Sequence, residues 1–301
     1  MRISDLSQFE LRKRVANGLR FKVGDVHISI SSTIPEVVEH FEVLYCSYEL
    51  VDESDFIDFY IQILAPSFFR RFIRPQVNFS FDGFSPFKPL PYSQAAAMFE
   101  WGLNWCITTH SHQYLMIHSS VVEKNGEILI LPGASGKGKS TLCAALVCSG
   151  WRLYSDEMTL ISIENGKIFA VPRPISLKNQ SLNIIQNFSN DIIFGSTITN
   201  TAKGDIAFMK VPEQSLEGVV DDAIPSKIIF PFYKGQSVTH FQTVSKGTAF
   251  MQMIENSFNY NALGKTGFEV LSKIIENCDC FNLSYDSLEE AVSGINRLGK
   301  K

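Results

Sequence analysis

Hydrophobic and polar positions change period along the chain, and each change marks a predicted element. Phe56–Leu64 alternates, with Ile57, Phe59, Ile61 and Ile63 on one face and Asp58 and Gln62 on the other, the period of a half-buried strand. Leu19–Val23 and Val26–Ser31 are short β-rich runs around Gly24-Asp25, a hairpin signal. Pro35–Leu44 predicts a short helix with Thr33 as its cap, and Val77–Phe81 predicts another strand. Between them lies PSFFRRFIRP, Pro66–Pro75. It reads as an edge segment with aromatics packed inward and arginines in water, with a partner or membrane-surface patch as the alternative. Asp82–Pro91, rich in Pro, Gly and Phe, reads as a linker. The pattern thus sets off residues 1–91 as a smaller N-terminal α+β unit and leaves 92–301 as the main domain.

Ser93–Ile107 predicts a helix capped by Ser93. Tyr114–Val122 predicts a strand, and Lys124-Asn125-Gly126 turns it back into the apolar run Glu127–Leu131. Ser140–Cys148, apolar and alanine-rich, predicts the next helix. Trp151–Tyr154 and Met158–Ile163 are strand-like on either side of Asp156-Glu157, and Asn165-Gly166 turns into Lys167–Val171. Lys178–Asn200 reads as partly loop. Strands are expected at Ile224–Phe232 and Ser237–Val244, and helices at Thr248–Phe258 and Gly267–Cys278. A last helix is expected from Asp286, with Glu289 completing a capping box.

One stretch carries chemistry outright. Leu131–Thr141 reads LPGASGKGKST, and Gly133, Gly138, Lys139 and Ser140 stand in the spacing GxxxxGK[ST] of a phosphate-binding P-loop. A predicted strand precedes it and a predicted helix follows, the context that motif needs. The backbone of Gly133, Ala134, Ser135, Gly136, Lys137, Gly138 and Lys139, with Ser140 and Thr141, would cradle phosphates at the helix N-terminus. Lys139 would reach the β and γ phosphates, and the Ser140 hydroxyl would sit on Mg²⁺. Yet the strand entering this loop is the second arm of a tight hairpin, whereas parallel βαβ cores join strands by crossovers. That narrows the choice of fold.

Composition trims the functional classes. The chain has 301 residues, 45% hydrophobic and 19% charged, with a net charge of −4. That acidic balance argues against a general nucleic-acid binder. The six cysteines show no paired metal spacing, and Cys278 and Cys280 form a lone CxC. Reduced thiols in a cytoplasmic protein are expected. No run approaches the ~18 apolar residues of a membrane span.

Phosphoryl transfer needs a metal to neutralise charge, a group to take the acceptor proton and positive groups for the transition state. Asp156 and Glu157 follow an apolar strand, where a Walker-B-like acid sits. One would face the metal and the other the acceptor hydroxyl. His118 lies on the strand before the hairpin. Arg173, Lys178 and Lys203 are candidates for transition-state charge.

The run MIHSSVVEKNGEILILPGASGKGKSTLCAALVCSGWRLYSDEMTLI, Met116–Ile161, resembles the core of the HPr kinase/phosphorylase superfamily. It is most similar to the bacterial branch of HPr-kinase-related kinases, the A type. FEWGLNWCI before it and PRPISLK after it fit the same branch. The resemblance implies an α/β fold, a mixed-sheet P-loop kinase core of the HPr kinase/phosphoenolpyruvate carboxykinase type. By position, His118 matches the catalytic-site His, Lys139 the P-loop Lys, Ser140 the metal-side hydroxyl, Asp156 the presumed base and Glu157 the second acid. HPr kinases carry Asp at that second position and Gly after the His, where this chain has Glu157 and Ser119. The glycine-rich LE-x-RGLG signature is absent. The implied activity is an ATP- and Mg²⁺-dependent kinase acting on a hydroxyl, most readily serine, of a protein, peptide or small molecule. Metal ligands would be Ser140, Asp156 and Glu157. HPr kinases assemble, so a homo-oligomer is compatible. The alternative is an ATP-binding regulatory or scaffold protein with little phosphotransfer.

Overall fold

The computed structural model describes residues 1–134, 136–217, 224–235 and 238–298. The chain divides into two compact units, each a mixture of helices and sheet.

The first unit opens with α1 (Gln8–Asn17), whose Ser7 and Glu10 form a capping box. The S-x-x-E signal was present in the sequence and is enough to start a helix in a run of mixed charge. Strands β1 (Leu19–Val23) and β2 (Val26–Ser32) form the expected hairpin. Helix α2 (Pro35–Leu44) crosses over to β3 (Phe59–Leu64), which pairs parallel to β2. Its cap differs from expectation. Ile34 holds the N-cap position with no side-chain bond, and Pro35 starts the helix instead. Antiparallel β4 (Gln76–Phe81) and the short β5 (Leu90–Pro91) complete a sheet of order β1-β2-β3-β4-β5.

Helix α3 (Ala95–His110) belongs to this unit, which runs to Ser111 rather than stopping at residue 91. Packing explains the difference. A Cβ at Gly102 would lie 2.0 Å from the Phe79 ring, so only glycine lets helix and sheet approach so closely. Glu100, buried on the same helix, accepts hydrogen bonds from the Tyr45 hydroxyl at 2.8 Å and pairs with His40 Nε2 at 2.8 Å. The Pro66–Pro75 segment also departs from expectation. Phe68, Phe69, Phe72 and Ile73 face outward, as do the arginines.

The second unit starts at His112. The strand expected over Tyr114–Val122 is two strands, β6 (Tyr114–Ile117) and β7 (Ser119–Lys124), in different sheets. The hairpin at Asn125-Gly126 leads into β8 (Glu127–Pro132), paired antiparallel to β7. After α4 (Lys139–Cys148), β9 (Arg152–Ser155) joins β7, while β10 (Thr159–Ser162) and β11 (Ile168–Phe169) join β6. The chain therefore passes from one sheet to the other twice. Ile117 pairs Thr159 in the first sheet and Val121 pairs Ser155 in the second. His118 lies in one passage and Asp156-Glu157 in the other.

Part of the next stretch returns to the first unit. Strands β12 (Ile175–Lys178), β13 (Ile198–Thr201) and β14 (Gly204–Met209) form a small sheet, and α5 (Gln180–Phe188) fills the region read as partly loop. The second unit resumes with β15 (Pro225–Tyr233), β16 (His240–Thr243), α6 (Lys246–Glu255), α7 (Tyr260–Asn277), β17 (Asp279–Tyr285) and α8 (Leu288–Leu298). Ser237, expected to open a strand, lies outside the described residues. Ser287 rather than Asp286 caps the last helix, its Oγ accepting from the Glu290 N–H at 3.2 Å.

The main sheet has the order β16-β17-β15-β8-β7-β9. Strands β8, β15 and β17 are parallel, and β7, β9 and β16 are antiparallel to their neighbours. Strand β8 is buried on both faces, which is why EILIL reads as a continuous apolar run rather than an alternating one. Ile128 and Ile130 pack with Met253 of α6 and Leu271, Ile274 and Ile275 of α7. Helix α4 lies against β7, β8, β9 and β15. The end of β8 is thus held rigidly where the glycine loop begins.

Candidate functional site

The loop after β8 turns between Gly133 and Gly138, and Ser135 lies outside the described residues. Gly138 caps α4 with φ of 87° and, having no side chain, makes no cap bond to the first turn of that helix. Its N–H groups therefore point into the loop, the arrangement that receives an anion. A Cβ on Gly138 would stand 2.7 Å from the Tyr285 hydroxyl and 3.2 Å from Tyr233 Cβ. Tyr285 donates to the Gly138 carbonyl at 3.2 Å, and the Tyr233 N–H donates to the Lys137 carbonyl at 3.3 Å. The ends of β15 and β17 thus brace the loop. Neither tyrosine was singled out in the sequence, because their proximity is created by parallel strands about a hundred or more residues further on.

Lys139 is buried, and its Nζ lies 3.4 Å from His118 Nε2. Among the described residues it has no carboxylate partner. A buried ammonium with no carboxylate beside it is stabilised when an anion arrives. His118 is half-buried and is fixed from three sides. Its N–H donates to the Asn256 carbonyl at 2.7 Å, its carbonyl accepts from Gly133 at 3.3 Å, and its ring meets Phe258 at 5.8 Å.

Asp156 is buried, and its Oδ1 accepts hydrogen bonds from Ser120 at 2.5 Å and Ser140 at 3.2 Å. Its Oδ2 is buried without a hydrogen-bond partner. Leaving such an oxygen unpaired costs roughly 1–3 kcal/mol, so the position asks for a donor or a cation. Ser120 was missed in the sequence, although it lies two residues from His118 on the strand that pairs with β9. Glu157 is half-buried with φ of 71°, an unusual conformation for a residue with a side chain. Cys143, on α4 behind this group, has its thiol pushed well above its ordinary range, first by burial and then by the Asp156 charge.

The structure thus brings Lys139 beside His118 and Ser140 beside Asp156. Gly133, Ala134, Gly136, Lys137 and Thr141 line the loop and the first turn of α4. The Lys137 ammonium stacks on the Phe232 ring at 4.3 Å. Arg173 is buried in the second unit, two residues past Val171, which bridges Ser155 beside the acidic pair. Lys178 and Lys203 belong to the first unit, where the Lys203 ammonium sits over Trp101 at 5.3 Å.

For Mg²⁺ the donors fit in kind. This ion takes one or two carboxylates together with phosphate and water oxygens rather than an all-protein cage. The Ser140 hydroxyl beside the Asp156 carboxylate is such a set. Among the described residues no group of three or more His, Cys, Asp or Glu could hold a metal alone. Two shallow clefts, of about 420 and 440 Å³, flank α8 and do not include these residues. No helix among the described residues is long and apolar enough to cross a membrane.

A family model described as SynChlorMet cassette protein ScmC matches residues 92–184, less than half of the chain. No curated protein matches. Among solved structures, the chain is similar to the Hpr(Ser) kinase/phosphatase from Coxiella burnetii at 16% identity, over 61% of this chain and 96% of that one, with a TM-score of 0.28.

Proposed function

We propose that the second unit is an ATP- and Mg²⁺-dependent kinase that transfers the γ-phosphoryl group to a hydroxyl, most readily that of a serine. The observation that carries this reading is the pairing of Ser140 with a buried Asp156 whose second oxygen has no partner. In this reading the glycine loop and the first turn of α4 hold the phosphates by their N–H groups. Lys139 supplies positive charge to the β and γ phosphates. Ser140 and Asp156 would hold Mg²⁺, with Glu157 beside them. When bound, the ion neutralises charge on the transferring group. Asp156 Oδ2 takes the proton of the acceptor hydroxyl as its oxygen bonds to phosphorus, and ADP leaves. His118 holds the Lys139 ammonium in place at 3.4 Å. Of the three basic candidates, Arg173 is the one that belongs to this unit, and in this reading it would supply transition-state charge.

The test is incubation of the full chain with γ-labelled ATP and Mg²⁺, together with free serine, serine peptides and cell extract. Label on an acceptor hydroxyl is expected. Saturable ATP binding with no labelled acceptor and no released phosphate overturns the kinase and leaves a nucleotide-binding regulator.

A further inference from the structure

The turn between Pro66 and Pro75 has no part in the proposed chemistry. Its side chains are nevertheless arranged in a way that a folded domain rarely tolerates. Phe68, Phe69, Phe72 and Ile73 are exposed to 75%, 72%, 64% and 65%. Three of them form one cluster, with the Phe68 ring 6.1 Å from that of Phe69 and 5.4 Å from that of Phe72. Contiguous exposed apolar groups of this kind mark interaction sites. Arg70, Arg71 and Arg74 are interleaved and exposed. No Asp or Glu occurs between Asp58 and Asp82, in a chain whose net charge is −4.

Two features decide which partner fits. First, four consecutive N–H groups of the turn are bonded within it. The N–H groups of Arg71 and Phe72 donate to the Phe68 and Phe69 carbonyls, Ile73 donates to Phe69, and Arg70 donates to the Ser67 hydroxyl. It therefore offers no free strand edge for another chain to extend. It can also enter an apolar medium without stranding these amides. Second, the rings stand on a short turn rather than in a groove, whereas a protein partner finds its affinity in desolvated pockets. A lipid interface needs no pocket: it takes aromatic and aliphatic side chains at the acyl boundary and arginines at the headgroups.

We propose that the Ser67–Arg74 turn is a peripheral membrane-docking element. It inserts Phe68, Phe69, Phe72 and Ile73 into the interface of a bilayer bearing anionic lipids, and Arg70 and Arg74 contact the headgroups. The Tyr92 N–H donates to the Pro75 carbonyl at 3.1 Å, which ties the end of the turn to the segment leading into α3.

Flotation of the full chain with vesicles of phosphatidylcholine, alone or mixed with phosphatidylserine, tests this. Binding to the mixed vesicles is expected to be ~10-fold stronger and to weaken as salt is added. F69S/F72S should lower binding to both vesicle types by about 10-fold or more, since apolar burial drives insertion. R70Q/R74Q should remove the preference for the anionic vesicles. All four positions are exposed, so both variants should melt with the wild-type protein. Equal binding of the wild-type protein to the two vesicles, or undiminished binding by F69S/F72S, overturns the proposal. So does a self-association that F69S/F72S abolishes while vesicles bind nothing, which would assign the face to a second copy of this chain.

Discussion

Ser140 Oγ donates to Asp156 Oδ1 at 3.2 Å, although Ser140 lies in the first turn of α4 and Asp156 follows the end of β9, 16 residues on. The same carboxylate oxygen receives Ser120, and Oδ2 receives nothing. The carboxyl is therefore oriented by two hydroxyls and keeps one oxygen in reserve. Asp156→Asn should keep ATP affinity within a few-fold while phosphoryl transfer falls by ~10²–10⁴-fold, the usual worth of a positioned base. Lys139→Ala should weaken ATP binding itself by at least ~10-fold. Equilibrium binding of a fluorescent ATP analogue, set beside single-turnover transfer, separates the two effects. Full transfer by the Asp156→Asn protein would remove the base assignment.

Gly138 is predicted to be intolerant for two separable reasons. Its φ of 87° is strained for any other residue, and an added Cβ meets the Tyr285 hydroxyl at 2.7 Å. Gly138→Ala should destabilise the protein by ~1–3 kcal/mol and weaken ATP binding. Adding Tyr285→Phe removes the atom in the way but not the strain. The double variant should therefore recover part of the loss, measured by urea unfolding at fixed pH.

The buried Glu100 serves His40 and Tyr45 together, within a ring of Phe41, Phe99 and Phe208. Glu100→Ala removes the acceptor that His40 and Tyr45 share in an apolar surround and should cost about 3–5 kcal/mol. His40→Leu with Glu100→Leu removes both ends of the pair and should cost less than the two single changes added together. Denaturant midpoints of the three variants give the coupling. Additive losses would mean that the pair holds nothing jointly.

Thiol chemistry gives a pH signature. Burial lifts Cys106 and Cys278 to about 12 and Cys148 to about 11, against an ordinary value of 9.0. Below pH 9 folded and unfolded chains both keep these protons, so stability owes no pH dependence to them. Above it the unfolded chain releases protons that the folded chain retains, and folding stability falls as pH rises. Urea midpoints should therefore decline between about pH 9 and pH 11. In the native protein at pH 8, iodoacetamide should modify half-buried Cys46 first and leave Cys106, Cys143, Cys278 and Cys280 protected.

Much of the site could be read from local signals. The hairpin at Asn125-Gly126, the apolar β8 and the GxxxxGK[ST] spacing all act over a few residues, and the hairpin and β8 have their expected local form. His118, Lys139, Ser140 and Asp156 were named from position alone. What escaped were partners supplied from a distance. Ser120 matters because β9 pairs with β7, and Tyr285 matters because β17 lies two strands from the loop. Neither relation leaves a periodic trace. Helix α3 was legible as a helix but not as part of the first unit, because that depends on Gly102 accepting Phe79, a fit of shapes rather than a pattern. The outward phenylalanines of the Pro66–Pro75 turn reverse the ordinary rule that aromatics go inside, which sequence reasoning applies by default.

His118 and Asp156 both stand where the chain steps between the three-stranded sheet and the six-stranded one. Insertions are ordinarily absorbed best in such short irregular joints. Here the reverse holds. One residue added at either step would carry one functional group away from the other while both sheets still formed, leaving a folded but inert protein. A scan of single-residue insertions should therefore divide cleanly. The turn at Asn165-Gly166 should accept them with activity intact, and the two steps should keep expression while losing every trace of chemistry.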